Sequence, residues 1–186
     1  METLVALFRH QAWAMEKVLD RCETLPEDAL AWSAKGVYGS ILPTLVHIVM
    51  GEQLFLRLLG VEVGAAIRQS DLPVPDALRT PTQVEAAIRA GQLPTLAALR
   101  TTCTELAGHW LDLAARADTF DFTLPASPFW SEMPHAGPVP FLQAIAHGIE
   151  HRTNICTVLA AHGIESPRLD AFAYWQEMCP PSNPSA

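Results

Sequence analysis

Residues 140–163, PFLQAIAHGIEHRTNICTVLAAHG, decide the fold. Ile145, Ile149, Ile155, Val158 and Leu159 recur at helical rather than strand spacing. Pro140 falls where a first turn tolerates a missing N–H, and Gly163 stops the run after His162. The spacing predicts a helix over 140–162. Within it lies His147-Gly148-Ile149-Glu150-His151, whose two histidines stand at positions i and i+4. On a helix such positions are stacked neighbours with Cβ atoms about 5–6 Å apart, so two imidazoles can reach one metal ion at about 2.0–2.1 Å.

Upstream, the same period returns three times. Residues 2–24 place Leu4, Leu7, Phe8, Met15, Val18, Leu19 and Cys22 on one stripe, interrupted by Gln11, and Pro26 ends the helix. Ser40 is the expected N-cap of a second helix, Ile41 to Leu59, with Pro43 in its first turn and Gly60 as a left-handed terminator. Thr80-Pro81-Thr82-Gln83 reads as a capping box that opens a third helix. That helix runs toward Leu113, and Gly91 and Pro94 should kink or break it. Residues 61–79 are too long for a tight hairpin and read as a crossover. Residues 118–137 form a proline-rich stretch with Phe120, Phe122, Phe129 and Trp130, apolar enough to be expected to fold back over something. A short terminal helix, Ala171 to Met178, follows Pro167 and Asp170. No alternating strand pattern or long internal repeat appears. The fold class is all-α: a four-helix bundle with a long crossover between helices 2 and 3 and a short C-terminal helix, one domain over 1–178 and a tail over 179–186.

Composition narrows the setting. The chain has 186 residues, 49% of them hydrophobic and 17% charged, with a net charge of −8. Lys17 and Lys35 are the only lysines and the arginines are scattered, which argues against a nucleic-acid partner or an anionic membrane surface. The most apolar segment carries His47, Glu52, Gln53 and Arg57, so it reads as a core helix rather than a membrane span. Glu2 and Arg9 interrupt the first stretch before a signal-like run can form. Cys22, Cys103, Cys156 and Cys179 show no CxxC pairing and read as free thiols in a reducing cytoplasm.

The histidine pair is not specific alone. Seven histidines in 186 positions produce an HxxxH by chance in about a quarter of such chains, and Gly148 rules out the HExxH zincin pattern. A pair of half-buried or surface histidines explains the spacing equally well. His47 adds context, because it sits in the apolar run Thr44-Leu45-Val46-His47-Ile48-Val49-Met50. Burying an imidazole there is costly unless it is bonded. A satisfied core histidine is one reading; a ligand facing the pair on another helix is the other.

In order and spacing the chain resembles the DinB/YfiT-like superfamily of metal-binding four-helix bundles, unrelated to the DNA polymerase of similar name. The resemblance rests on Trp13-Ala14, on Gly39-Ser40 leading to Leu45-Val46-His47 and Glu52, and on His147-Gly148-Ile149-Glu150-His151-Arg152. It extends through Leu159, His162-Gly163-Ile164-Glu165, Pro167, Asp170 and Tyr174-Trp175. It implies that His47, His147 and His151 are the metal ligands, that the fourth helix packs between helices 2 and 3, and that the protein is a homodimer.

Three neutral imidazoles leave positions open on a divalent ion, zinc or nickel foremost, with iron, copper or manganese also compatible. Some members of the superfamily are thiol transferases in which the metal lowers the pKa of a low-molecular-weight thiol, which then attacks an electrophile. Others are read as hydrolases that activate water. The resemblance favours the transferase, with the hydrolase and a non-catalytic metal- or ligand-binding stress protein as alternatives. No catalytic residue is identified. Candidate pocket residues are His10, Gln11, Trp13, Glu150 and Arg152, each also readable as an ordinary interface or surface residue. Glu52 lies half a turn off the face of His47. Trp130, Phe129, Tyr174 and Trp175 are candidate cavity walls or core, and His109, His135 and His162 have no ligand-spaced partner.

Overall fold

The computed structural model describes residues 2–64, 80–117, 119 and 138–179. Among the described residues six α-helices form: α1 (Glu2–Glu23), α2 (Ile41–Leu58), α3 (Pro81–Arg89), α4 (Leu96–Ala115), α5 (Val139–Ala161) and α6 (Ala171–Met178). A 3-10 turn, Glu27–Ala31, lies between α1 and α2. There is no strand among the described residues. Expectations for 65–79, for the aromatic stretch with Phe120, Phe122, Phe129 and Trp130, for His135 and for 180–186 lie outside the described residues.

Local chemistry sets most boundaries. Thr80 and Gln83 complete a reciprocal capping box ahead of Pro81, as the sequence predicts. The predicted third helix is broken in two. Gly91 takes φ +64°, Pro94 follows, and Thr95 starts α4 by accepting from the Ala98 N–H at 3.2 Å. Gly60 and Gly163 both adopt positive φ at helix ends, 76° and 74°. Asp170 caps α6 through the N–H groups of Phe172 and Ala173, each at 3.0 Å. Ser40 occupies the N-cap of α2, but its side chain makes no cap bond. Its carbonyl instead accepts from Thr44 Oγ1 at 2.7 Å.

Helices α1, α2, α4 and α5 make the bundle. α1 packs on α4 and α5, and α2 packs on the same two, so each sequential pair α1/α2 and α4/α5 stands across a diagonal. This corrects the expected order: the helix with the histidine pair lies between α1 and α2, not between helices 2 and 3. The connection 24–40 has the length a diagonal passage requires. α3 packs on the 3-10 turn and α6 on α1.

The core holds Leu19, Ile41, Leu45, Ile48, Leu56, Leu99, Leu106, Leu113, Ile155 and Leu159, all nearly inaccessible. Each such side chain contributes roughly 1.5–3 kcal/mol relative to exposure. Phe8 stacks on Trp110 with centroids 4.8 Å apart. α2 has the length and apolarity of a membrane span, yet more than half of it is buried within the bundle. Two apolar assignments fail: Leu7 and Ile149 are exposed. Ile149 lies two residues from both His147 and His151, on the opposite side of α5 from the face they take.

Candidate metal centre

The α2–α5 packing brings His47 against the HxxxH pair. His47 Nε2 and His147 Nε2 are 3.0 Å apart. The ring centroids of His147 and His151 are 4.4 Å apart, those of His47 and His151 4.6 Å, and those of His47 and His147 4.8 Å. One nitrogen from each ring can be chosen so that all three lie within 4.8 Å of one another. Two nitrogens bound to one ion at about 2.0–2.1 Å stand roughly 3 Å apart at angles between square and tetrahedral. The His47–His147 contact already has that separation.

Electrostatics agree with a ligand set. Burial lowers the His47 and His147 pKa values to about 4, with neighbouring imidazoles adding to the effect. His151 is also lowered, chiefly by burial, while exposed Glu150 opposes the shift at His47 and His151. All three rings are therefore neutral near pH 7, the state a metal needs. The Nδ1 atoms of His147 and His151 are buried without a hydrogen-bond partner. Each imidazole offers an ion one nitrogen, so an ion taken through His147 Nε2 leaves His147 Nδ1 as it is, whereas His151 can satisfy its costly buried Nδ1 by offering that atom. The residues fit a divalent metal.

A glycine makes the approach possible. Gly51 lies one turn beyond His47, and a Cβ there would stand 2.6 Å from His147 Cε1. Nothing in the sequence marked Gly51, because a mid-helix glycine has no partner until the facing helix is known. Two aromatic residues also went unassigned. Tyr38 stacks on His47 at 4.2 Å, and Phe55 meets His147 edge-on at 5.6 Å.

The other candidates do different work. Arg152 and Gln11 are buried and lie on the inner face, where an Arg152 Nη2–H donates to Gln11 Oε1. Gln11 Nε2 donates in turn to the Ile145 carbonyl at 2.7 Å. Gly148 is the space they need, since a Cβ there would lie 2.8 Å from Arg152 Nη1. Burial lowers Arg152 to about 10, against the pull of Glu52. Glu52 faces a partly open cavity of about 160 Å³ with Gln11, Met15, Cys103 and Trp110 rather than the imidazoles. Burial raises it to about 7; Arg152 and the nearby Trp110 indole, which completes no hydrogen bond of normal geometry, oppose the rise.

His10 and Trp13 belong to the α6 dock. The His10 ring is 5.6 Å and the Trp13 ring 5.4 Å from Tyr174, and His10 Nε2 lies 2.8 Å from the Leu169 carbonyl. Trp175 is exposed and is not core. His162 stacks on Trp32 at 4.3 Å, and His109 faces Glu105 on its own helix. The four cysteines are free; burial raises Cys22 to about 12 and raises Cys103 and Cys156, so these three are thiols rather than thiolates.

A helical bundle presenting three imidazoles from two facing helices belongs to the class of bundles whose geometry fits a metal between helices. The chain matches the model of the DinB family over residues 1–182, and it belongs to that family. The family and the three-histidine group both fit metal binding. Comparison with curated proteins finds no match.

Proposed function

We propose that His47, His147 and His151 hold one divalent metal ion, zinc or nickel foremost, and that the protein is a transferase acting on a low-molecular-weight thiol. The observation that supports this is the convergence of three neutral imidazoles with no carboxylate in the group. A bound ion keeps its full positive charge there and supplies Lewis acidity that favours thiolate over thiol. The protein's part is to keep the rings unprotonated and aimed at a common point, while the half-exposed His47 and His147 leave a solvent side for substrate. Cys22, Cys103 and Cys156, held as thiols by burial, leave the nucleophile to the small thiol, and four free cysteines fit a reducing cytoplasm. We also read the protein as a homodimer; exposed Phe172, Trp175 and Met178 on α6 support that reading.

Elemental analysis tests the ligand set. His147→Ala and His151→Ala should each lose metal that His109→Ala retains; equal retention in all three rejects the assignment. Metal-loaded protein given bacillithiol, mycothiol or glutathione with monochlorobimane should then consume thiol. Retained metal without thiol consumption rejects the transferase for those thiols, and metal-dependent ester or amide cleavage in its place would indicate a hydrolase.

A further inference from the structure

Tyr38 precedes the N-cap of α2, yet its ring lies over the site. It stacks on His47 with centroids 4.2 Å and planes 22° apart, and meets His151 at 4.7 Å and 75°. A separation of that size leaves no layer of water between phenol and imidazole. The segment is tethered at its backbone: the Tyr38 N–H donates to Asn154 Oδ1 at 3.3 Å, and Asn154 Nδ2 donates to the Glu150 carbonyl at 2.9 Å. Earlier in the same connection, Trp32 is stacked on His162, whose Nε2 lies 3.3 Å from the Ser33 carbonyl. Tyr38 itself is 53% exposed, so one side covers imidazoles while the rest meets solvent. Phe55 flanks the group beside His147.

Resting on the metal-site reading above, we propose that Tyr38 is a positioning residue that fixes the His47 ring and shields the His47–His151 side of the metal from water. Ligands then approach from the side that Phe55 flanks. Among the described residues the His47 ring makes no hydrogen bond except to another imidazole, and a stacked neighbour restricts its rotation. The contribution belongs to the aromatic face and not to the phenol hydroxyl.

Cobalt(II) is the probe, because its visible bands are intense when four-coordinate and weak when water expands the shell. Wild-type protein should give the intense spectrum. Tyr38→Ala should weaken the bands several-fold and lower cobalt affinity about 10–100-fold. Tyr38→Phe should match wild type in both, and Asn154→Ala, which removes the tether and keeps the ring, should fall between. Urea midpoints of the metal-free proteins check folding, and Asn154→Ala keeps the test open should Tyr38→Ala fold poorly. Wild-type spectrum and affinity in Tyr38→Ala overturn the proposal, as does a Tyr38→Phe loss equal to that of Tyr38→Ala. Failure of wild-type protein to bind cobalt through His147 overturns the metal-site reading itself.

Discussion

Gly51→Ala should separate metal binding from folding. The added Cβ would stand 2.6 Å from His147 Cε1, 3.1 Å from Nδ1 and 3.2 Å from Nε2. Carbon atoms in ordinary contact sit at about 3.5–4.0 Å, so the ring must retreat by about 1 Å. Ligand positions tolerate only about ±0.2 Å. The expected loss of zinc affinity is about 10–100-fold, or about 1.4–2.7 kcal/mol. The metal-free fold should respond in the opposite sense. Alanine is favoured over glycine inside a helix by roughly 0.5–1 kcal/mol, and the half-buried His147 ring has solvent to move toward. Competition titration with a zinc chelator gives the affinity, and urea unfolding of the metal-free protein gives the stability. Unchanged affinity would refute the reasoning, as would a metal-free protein destabilised by more than about 2 kcal/mol, which would show that the ring has nowhere to go.

Metal-free stability should depend on acid with a definite sign. His47 and His147 titrate near 4 when folded against 6.5 as the ordinary value, and His151 is lowered too. The unfolded chain therefore binds more protons between about pH 4 and 6.5, so stability falls as pH drops through that window. Urea midpoints that stay level from pH 7 to 4.5 would contradict the shifts. Zinc affinity should weaken less than about tenfold between pH 7.5 and 5.5, where three ordinary imidazoles would lose about a thousandfold to proton competition; chelator titrations at the two pH values decide it. Gly148→Ala should destabilise the protein by about 1–3 kcal/mol in urea unfolding, because its Cβ displaces the buried guanidinium from Gln11. Unchanged stability there would mean that Arg152 relocates freely.

The parts of the site that follow a period were legible; the parts that depend on a neighbour were not. The HxxxH pair lies on one helix, so its geometry is fixed by the helix alone, and His47 declared itself as a polar group in an apolar run. The break in the third helix was written in Gly91 and Pro94. Tyr38 is outside any helix, and it meets His47 through a connection tied to α5 by contacts such as that with Asn154. The bundle order was misread because a helical stripe tells which side is buried and not which helix covers it. His10 and Trp13 share the early helical turns with Gln11, but a step of one or two residues turns them away from the interior, to α6.

α5 serves two purposes, and the spacing of its residues keeps them apart. His147 and His151 face α2, whereas Ala144, Gly148 and Arg152 face the interior, with Gln11 of α1 against them. Adjacent residues on a helix are about 100° apart, so the ligands and the buried guanidinium are sequence neighbours without sharing a surface. The two glycines divide in the same way: Gly51 gives His147 room across the α2–α5 seam, and Gly148 gives Arg152 and Gln11 room inside. Changes at Gly51 should therefore appear in metal affinity first and changes at Gly148 in stability first. If both substitutions moved both quantities equally, the separation of the two faces would be wrong, and Arg152 would have to be counted as part of the metal centre.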